Sequence, residues 1–589
     1  MADEAWTHSN AGSCRQSREL GRACARPRRG QASAGQFVIF LIGQVVKQKL
    51  LTIGIDAPNG ELLESWLAQG LLPSIGQVAA EGLICRYEHQ KLYRNERCWD
   101  AFLNGRESTQ SGSVFIPETY AYFNESLQRQ ESHPPFYANL RDRKICMFDL
   151  PAPLLPQIEG IQIVGWGSEL NASYQASLPV GVMAEIQKKY GWDPKLEDNI
   201  RVKDFRSGEE ERSYVLPCIY DRQAVLAFKD KLLAAIERRT NIALDLMGRD
   251  DWDLYLMVYP ESHTANHVLW HLGEQHPLHA PDAGLSHALL EIYQAIDDGI
   301  RRVLTKWPVQ QPLLIYTLDH TTRNSMDVPS MVLLPEYLYR WNFPGHRALA
   351  TGDAGTSLGE PRMDYRQHWK HDVWSLRTDE GDDLLESPDR QEAAGDALSW
   401  NSANWYKPLW PIMRAFALPS VGDGYIRLNV QGRESQGRIA ADQFHATLLE
   451  LEELLRRTVN ARTGRPLVTS LVKVRETPFE RPDIPPDLIV CWDEASAADT
   501  MDSPDLGRIG PIPYFRTGGH VSHGTLVENT CYIRGPGISP ESAVRYGRLE
   551  DLASTILHLL GEPVPAGVTD RPLFDVLGPD RRRAPFADA

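Results

Sequence analysis

A short apolar stretch that ends in an acidic residue and a turn recurs along the chain, and this pattern restricts the fold more than any other feature. The stretches are KLLTIGIDAPNG (49–60), DWDLYLMVYPESH (251–263), PLLIYTLDH (312–320) and PPDLIVCWD (485–493). Each has the length and composition of a buried β-strand. Segments with helical spacing also occur, such as ALLEIYQAIDDGIRRVLTKW (288–307) and LEDLASTILHLLG (549–561). This alternation predicts an α/β fold with a mostly parallel central sheet and helices on both of its faces.

The size and net charge of the chain restrict which molecules the protein can bind. The chain has 589 residues, of which 42% are hydrophobic, so a large core can form. Its net charge of −16 argues against a nucleic-acid partner, because phosphate backbones need a basic face. A small anionic substrate remains compatible with the chain, since a bound metal can supply positive charge locally. No run approaches the 18 or so apolar residues of a membrane span, so we expect no membrane partner. The oligomeric state is left open.

The cysteines indicate a reducing compartment. Eight of them are scattered over positions 14, 24, 85, 98, 146, 218, 491 and 531, with no C-x-x-C pair and no framework spacing. We interpret them as mostly reduced thiols of a cytoplasmic protein.

Residues 1–48 differ in composition from the rest. SCRQSRELGRACARPRRGQASAG is rich in Arg, and the short apolar run QFVIFLIGQVV follows it. A basic segment before a short apolar run resembles a signal peptide, but no clear cleavage site follows and the first strand begins almost at once. We interpret residues 1–48 as a disordered extension or the product of a start codon assigned too early.

The remaining boundaries follow from regions with less regular patterns. We expect one catalytic domain over residues 49–580 with cap-like insertions near 165–245 and 325–480, and a tail at 581–589. The region 165–245 mixes charge with short helical patterns, and 345–400 is rich in Gly, Asp and Arg.

Polar residues that suit metal chemistry gather where the predicted strands end. Four candidates lie at strand ends: Asp56, Cys98, ESHTANHVLWH (261–271) and LDH (318–320). A fifth, RTGGHVSHG (516–524), lies in a Gly-rich loop near the end of the sequence. Each is weak alone, because an Asp after a strand is usually a turn former and a single His is usually a hydrogen-bonded residue. H-x-x-x-H spacing, however, puts two rings on one helical face. Carboxylates and imidazoles together at strand ends predict a site for two divalent cations, with zinc first and manganese as the alternative.

The order of these segments resembles the type I phosphodiesterase/nucleotide pyrophosphatase family of the alkaline phosphatase superfamily, from about residue 49 to about 575. LLTIGIDAPNGELLESWLAQGLLPSI is similar to the family's opening strand and helix, and ERCWDAFLNG to its nucleophile segment. LDH is similar to its Asp-His ligand pair, and TGGHVSHG to the segment of its late His ligand. The resemblance implies an alkaline-phosphatase-like fold and hydrolysis of a phosphodiester or phosphoanhydride.

The same resemblance implies two sets of metal ligands. One cation would be held by Asp56, Asp319 and His320 near Cys98, and the other by His263, His267 and His520.

The second set departs from the family pattern. The family's D-x-x-x-H is His263-Thr-Ala-Asn-His267 here, so one carboxylate is missing. Glu261 could replace it, and His271, one turn further on, could compete as a ligand. His523 is a further candidate, as a ligand or as a neighbour of the ligands.

Cys98 occupies the position that resembles the family's Thr or Ser nucleophile. It could attack phosphorus, or attack a softer centre such as an acyl carbon. It could instead only ligate metal, while water or a substrate hydroxyl attacks. Conversion to formylglycine is disfavoured by the residues that follow, and a buried inert thiol is the plain alternative. We interpret the neighbouring Trp99 as a core residue and Asn104 as a turn former.

Three functions remain open at this stage. The first is a metal-dependent phosphodiesterase or nucleotide pyrophosphatase. The second is a metal-dependent transferase or hydrolase that acts on an acyl or alkyl substrate on the same fold. The third is a non-catalytic binding protein on a degenerate fold. The replacement of an Asp by His263 supports it, and the retained candidate ligands oppose it, namely His267, Asp319, His320 and His520.

Overall fold

A computed structural model describes residues 47–90, 98–106, 133–167, 175–197, 200–204, 209–212, 215–273, 276, 278, 284–350, 369–394, 396, 398–481, 485–520, 526–540 and 544–573. The strands are Leu50–Asp56 (β1), Leu83–Gln90 (β2), Ile145–Phe148 (β3), Gly160–Val164 (β4), Ala176–Leu178 (β5), Ile200–Asp204 (β6), Glu209–Arg212 (β7), Leu254–Tyr259 (β8), Leu313–Leu318 (β9), Thr321–Arg323 (β10), Ala415–Leu418 (β11), Gly424–Leu428 (β12), Val459–Asn460 (β13), Val468–Lys473 (β14), Leu488–Trp492 (β15), Met501–Ser503 (β16), Gly507–Ile509 (β17), Gly518–His520 (β18), Leu526–Arg534 (β19) and Arg545–Arg548 (β20).

The α-helices are Gly60–Ala68 (α1), Pro73–Glu81 (α2), Cys98–Asn104 (α3), Val182–Tyr190 (α4), Arg222–Met247 (α5), Glu261–Leu269 (α6), Ala288–Leu304 (α7), Leu334–Asn342 (α8), Trp369–Trp374 (α9), Asp379–Leu384 (α10), Pro388–Ala393 (α11), Ser402–Trp405 (α12), Phe444–Arg456 (α13) and Asp551–Leu560 (α14). Local signals mark several of their ends. Asn59 caps α1 by accepting a hydrogen bond from the backbone N–H of Leu62, and Pro73 is the first residue of α2. Gly561 follows α14 with a φ of 71°, a conformation that glycine adopts at low cost.

The central sheet has nine strands in the order β20-β2-β19-β9-β1-β8-β3-β4-β5. β1 is parallel to β8 and β9, β3 is parallel to β8 and β4, and β2 is parallel to β20. β19 runs antiparallel to both of its neighbours, and β5 is antiparallel to β4. The sheet is therefore mostly parallel, as predicted.

Both faces of the sheet are buried under helices. On β9, Leu313 and Ile315 belong to one apolar core, whereas Leu314, Tyr316 and Leu318 belong to another. This alternation follows from the two-residue period of a strand. The first core includes buried residues of α1, α2, α5, α6 and α7, and the second includes residues of α3 and α14. The prediction of an α/β fold with helices on both faces is confirmed.

A third apolar core lies apart from the sheet and is built mostly from residues between 326 and 515. It encloses a four-stranded sheet in the order β11-β12-β15-β14 and a three-stranded sheet in the order β13-β16-β17. β15 is the strand expected at 485–493, but it pairs antiparallel with β12 and β14 and does not join the central sheet. An all-buried run such as β15 specifies burial on both faces, and it does not specify which strands lie beside it.

Candidate metal centre

The carboxyl ends of three neighbouring strands form the floor of the site. β1 lies between β8 and β9, and Asp56, the last residue of β1, is in register with Leu318 at the end of β9. Asp319 follows directly, and the N–H of Ala57 donates to the carbonyl of Leu318 over 2.7 Å. The two acidic residues predicted at strand ends are therefore brought to the same edge of the sheet.

The backbone is unusual where these strands end. Ala57 has a φ of 41° and Asp319 a φ of 63°, in the left-handed region that residues other than glycine rarely adopt. Such conformations cost on the order of 1–3 kcal/mol each and persist only where the surroundings enforce them. They let the chain turn sharply out of β1 and β9, so that the acidic side chains stay at the sheet edge.

Helix α6 begins immediately after β8 and carries the H-x-x-x-H pair. Ser262 ties its first turn to β1 by donating to the carbonyl of Asp56 over 2.6 Å. His263 and His267 lie one turn apart, and their ring centroids are 4.6 Å from each other. Every residue of α6 is buried, so the two imidazoles have few water molecules as competing partners.

The third histidine reaches the site through a short antiparallel pair. β18 pairs with β10 so that His520 lies opposite Thr321, two residues after Asp319. Gly518 permits this approach, because a Cβ atom there would lie 2.6 Å from the carbonyl oxygen of Asn266 in α6. The N–H of Thr517 donates to the carbonyl of His267 over 2.6 Å, which fixes β18 against the helix.

His263, His267 and His520 form a cluster that we call the histidine triad. One ligand atom from each lies within 4.8 Å of the other two. The ring of His520 is 5.2 Å from that of His263 and 5.5 Å from that of His267, measured between centroids. Among the described residues no other three His, Cys, Asp or Glu side chains come together in this way.

The Asp56 carboxylate contacts the triad at His263. Its Oδ2 lies 3.1 Å from Nδ1 of His263, and its Oδ1 accepts the indole N–H of Trp99 over 3.1 Å. Because a carboxylate oxygen accepts, Nδ1 of His263 carries the proton and Nε2 keeps its lone pair. A histidine held this way by a carboxylate is the usual arrangement behind a metal-ligating imidazole. Trp99, expected only in the core, thus also orients Asp56.

His267 is fixed in the same tautomer by the backbone. Its Nδ1 lies 2.7 Å from the carbonyl oxygen of Gly518, which can only accept a hydrogen bond. Nε2 of His267 is therefore the atom with a lone pair, and Nη1 of Arg516 approaches it to 3.4 Å. The site thus holds a guanidinium group beside a candidate ligand atom.

Asp319 and His320, which follow β9, contact different parts of the protein. Oδ2 of Asp319 lies 3.8 Å from Nδ1 of His520, so this carboxylate lies beside the triad. The ring of His320 contacts the start of α1 instead, where the N–H of Gly60 donates to its Nδ1 over 3.3 Å and Nδ2 of Asn59 lies 3.4 Å from its Nε2. Among the described residues, Asp56, Asp319 and His320 do not form a group of ligand atoms like that of the triad, and their role in metal binding stays a prediction.

Cys98 is the first residue of α3 and is 95% buried, since only 5% of its surface is exposed. It belongs to the core that covers one face of the sheet, together with Trp99 and Phe102. Its position directly before Trp99, which bonds to Asp56, places it in the first turn of the helix beside the site. Asn104 ends the helix and Gly105 follows with a φ of 59°, as expected for a turn. The role of Cys98 as nucleophile or ligand stays a prediction.

Glu261 does not join the triad in this structure. Its Oε1 accepts a hydrogen bond of 2.8 Å from Nε of Arg239, whose Nη1 lies 2.8 Å from Asp149 at the end of β3. All three side chains are fully buried. Burial raises the pKa of Asp149, and Arg239 opposes this shift. Glu261 therefore lies in an ion cluster beneath the first turn of α6.

Two further histidines, His271 and His523, were also predicted as possible ligands or neighbours of the ligands. Nε2 of His271 lies 3.0 Å from the carbonyl oxygen of Ile219, so this ring is directed toward the backbone near the start of α5. His523 lies outside the described residues. The described contact of His271 is thus with the backbone of Ile219, and the role of His523 stays a prediction.

A network of neutral side chains that sequence reasoning missed supports the site. Asn266 donates to the carbonyl of Ala57 over 3.1 Å and to the hydroxyl of Thr321 over 2.7 Å. Thr321 in turn donates to the carbonyl of Ala57 over 3.0 Å. Asn266 lies inside the quoted segment ESHTANHVLWH, but nothing in that pattern distinguishes an amide that joins the end of β1 to the start of β10 from an exposed one.

The hydroxyl of Tyr316 lies beneath this edge of the sheet. Burial, with the Asp56 carboxylate adding to it, raises the pKa of Tyr316 well above the usual range of a phenol. The phenol therefore stays neutral, and the negative charge of the site resides on the carboxylates. Gly54 in β1 allows its close approach, because a Cβ atom there would lie 2.9 Å from the Tyr316 ring.

The donor set of the histidine triad fits a divalent transition metal. Three imidazoles with two of their tautomers fixed, together with the carboxylates of Asp56 and Asp319 beside them, match the ligands that zinc prefers and that manganese accepts. The triad offers three ligand atoms, which leaves further coordination positions for a substrate oxygen.

The chain was compared with known proteins. No protein-family model matches the sequence, and no curated protein sequence matches it either. Among solved structures, it is similar to human ectonucleotide pyrophosphatase/phosphodiesterase 5, with 11% identity, a TM-score of 0.40, and coverage of 90% of this chain and 98% of that chain. An inactive form of the murine enzyme in complex with AMP gives 11% identity, a TM-score of 0.38, and coverage of 88% and 96%. Alkaline phosphatase PafA gives 10% identity, a TM-score of 0.45, and coverage of 91% and 100%.

The helices of the described residues were also considered as membrane spans. None of them combines the length and the apolar character that crossing a bilayer requires. The predicted cytoplasmic location stays a prediction.

Proposed function

We propose that this protein is a metal-dependent hydrolase that cleaves a phosphate ester or anhydride, with a phosphodiester or phosphoanhydride as the expected bond. The observation that carries the proposal is the histidine triad, assembled at the carboxyl ends of β1, β8 and β9 with Asp56 3.1 Å from His263. The substrate would be a small anionic molecule, because the site combines a metal-ligand set with a buried guanidinium group.

The chain's own residues have distinct tasks in this proposal. His263, His267 and His520 would hold one cation through imidazole nitrogens, with Asp56 and the Gly518 carbonyl fixing two of the rings. When bound, a divalent cation supplies Lewis-acid charge that stabilises negative charge developing on a phosphoryl oxygen. The rigid supports of the rings would preserve this geometry while substrate binds.

A second cation belongs to the same proposal but has weaker support. Asp56, Asp319, His320 and Cys98 are its proposed ligands, and the first two lie at the required strand ends. His320 would have to rotate away from Asn59 and Gly60 to join them. The metal content of the purified protein distinguishes a one-metal from a two-metal enzyme.

Cys98 has two roles under this proposal. As a nucleophile, its thiolate would attack phosphorus and expel the alcohol or phosphate leaving group, and water would then cleave the sulfur–phosphorus bond to release the product and the thiolate. As a ligand, it would only hold metal, and water would attack phosphorus and expel the same leaving group. A thiol is better matched to an acyl centre than to phosphorus, so thioesters and activated esters are the alternative substrates to test.

The test compares metal content, by elemental analysis, with hydrolysis of bis-p-nitrophenyl phosphate. The wild type, Cys98→Ala and His267→Ala would be assayed, with Cys491→Ala as a matched control because Cys491 is a buried thiol in the separate apolar core. We expect the wild type to hold metal and hydrolyse the diester, and His267→Ala to lose both. Loss of activity with full metal content in Cys98→Ala would identify a nucleophile.

Two results would contradict the hydrolase. If the wild type carries no metal and cleaves neither the diester nor a thioester, the site is a remnant and the chain is a binding protein. If it carries metal and cleaves only thioesters or activated esters, the prediction of a metal-dependent hydrolase is supported but the prediction of a phosphate substrate is wrong.

A further inference from the structure

Arg516 is the buried arginine beside the triad, and the proposed function uses its charge without assigning it a contact with the substrate. It lies two residues before β18, and only 6% of its surface is exposed. Its Nε donates to Oδ2 of Asp327, which also accepts from Nδ2 of Asn324 over 2.9 Å. Oδ1 of Asp327 accepts the N–H of Gly422 over 3.2 Å, so the carboxylate is itself held firmly. The guanidinium is thus fixed at one edge, and its two terminal nitrogens remain for other partners.

One of the two terminal nitrogens, Nη1, approaches the histidine triad. Nη1 lies 3.4 Å from Nε2 of His267, at the outer limit of a hydrogen bond. Nη2 is buried and has no hydrogen-bond partner among the described residues. A buried guanidinium group with an unsatisfied nitrogen carries a desolvation cost, which an anion at this point would remove.

Other buried arginines of the chain show what a purely structural role requires. The guanidinium of Arg340 donates hydrogen bonds from all three of its nitrogens. Nε donates to Glu336, Nη1 to the carbonyls of Leu506 and Arg508, and Nη2 to the carbonyl of Leu349. Arg340 thereby joins α8 to two other segments. Among the described residues, Asp327 is the only such anchor of the Arg516 guanidinium.

Arg239 is the closer comparison, because its Nη2 is also without a partner among the described residues. It is enclosed, however, by the acidic side chains Asp149, Asp193 and Glu261, whose charges raise its pKa. Within the described part of the chain, Arg516 has a single acidic partner, Asp327, and a histidine beside it, so its positive charge is the less compensated of the two.

We propose that Arg516 binds the anionic group of the substrate, with Nη1 and Nη2 contacting two oxygens of a phosphoryl group at the histidine triad. The inference rests on the proposed function, because it names the group that recognises the phosphate. The planar fork of a guanidinium matches two phosphate oxygens, and charge-assisted bonds of this kind are among the strongest in proteins. Asp327 acts as the positioning residue that fixes the direction of the fork.

The test measures binding of inorganic phosphate by calorimetry to the zinc-loaded protein. Replacing Arg516 alone would leave Asp327 buried without its partner, so the informative pair is Asp327→Asn and the double variant Asp327→Asn/Arg516→Met. We expect the double variant to bind phosphate at least tenfold more weakly than Asp327→Asn, while zinc content and melting temperature stay alike in the two. Arg516→Lys, which keeps the charge and loses the fork, should lie between them.

Arg340→Met with Glu336→Gln is the matched control, since this pair is equally buried and Arg340 donates to the backbone carbonyls of Leu349, Leu506 and Arg508. It should leave phosphate binding unchanged. The inference is overturned if the wild type binds no phosphate, or if the double variant binds phosphate as well as Asp327→Asn. Loss of zinc without loss of phosphate affinity would show that Arg516 acts on His267 alone.

Hydrolysis of bis-p-nitrophenyl phosphate separates this inference from the proposed function. If phosphate binding depends on Arg516 but the wild type hydrolyses no diester, the anion-binding role of Arg516 is supported and the proposed hydrolase activity is contradicted. If hydrolysis occurs with an unchanged KM and kcat in the double variant, the hydrolase stands and the role of Arg516 does not.

Discussion

Nδ1 of His263 lies 3.1 Å from Oδ2 of Asp56, and this contact joins the helix that carries two candidate ligands to the end of the central strand of the site. The other oxygen of Asp56 accepts the indole N–H of Trp99. The carboxylate thus connects β1, α3 and α6. It also sets which nitrogen of His263 is available to a metal.

Asp56→Asn should therefore weaken zinc binding. The amide can still accept from Trp99, but its NH2 group would then face Nδ1 of His263 and favour the tautomer with the proton on Nε2. Loss of such a supporting carboxylate typically lowers metal affinity by about 10–100-fold. Zinc affinity measured by chelator competition tests this expectation, with Asp250→Asn, an exposed partner of Lys144, as the control. Equal affinities in the two variants would contradict it.

Gly518→Ala should disrupt the triad without touching a ligand. Its Cβ would lie 2.6 Å from the carbonyl oxygen of Asn266, a backbone atom that cannot move without shifting α6. We expect β18 to be displaced, so that zinc content and melting temperature both fall.

Gly76→Ala is the matched control for this substitution. Gly76 lies inside α2, and the nearest atom to its new Cβ would be a side-chain carbon of Leu67 at 3.9 Å. A helical Gly→Ala change of this kind stabilises by roughly 0.5–1 kcal/mol. Full zinc content and an unchanged melting temperature in Gly518→Ala would show that the backbone contact does not position His520.

The sequence specified the sheet edge better than the site upon it. Asp56 and Asp319 end apolar runs that could only be buried strands, and parallel strands bring such ends together, so their positions were predictable. The H-x-x-x-H spacing likewise predicted that His263 and His267 share a helical face, and their ring centroids lie 4.6 Å apart.

Ring directions and ion partners depend on distant segments and could not be predicted. His320 is adjacent to Asp319 in sequence, yet its ring contacts Asn59 and Gly60 from the first helix. Glu261 was predicted as a possible ligand, but in the fold its carboxylate forms an ion pair with Arg239. Such choices depend on tertiary packing, which local pattern does not encode.

Arg239→Met should strongly destabilise the fold. The guanidinium lies between the buried carboxylates of Asp149 and Glu261, so its removal leaves two charges without compensation. Removing one partner of a buried ion pair typically costs about 3–5 kcal/mol. Urea unfolding measures this change in the free energy of unfolding. Arg301→Met, which breaks an exposed pair with Asp298, should cost no more than about 1 kcal/mol. Similar losses in both variants would show that the buried cluster contributes little.

Asp551 gives the chain a pH-dependent stability that is independent of the site. Burial raises the pKa of this carboxyl to about 7, with Glu550 adding to the rise and Arg571 opposing it. The folded state therefore holds a proton that the unfolded state releases near pH 4. The contribution of Asp551 to stability is fully present below pH 4 and is lost as the pH rises toward 7.

Asp551→Asn should remove this dependence, because the amide stays neutral at every pH and can still accept the N–H of Arg548 that Asp551 accepts over 2.9 Å. The variant and the wild type should be similar near pH 4, and the variant should become the more stable of the two as the pH rises to 7. The difference can grow by at most about 1.4 kcal/mol per pH unit, since one proton is involved. Thermal unfolding between pH 4 and 8 measures it, with the exposed Asp298→Asn as the control. A difference that does not change with pH would show that Asp551 ionises normally in the folded protein.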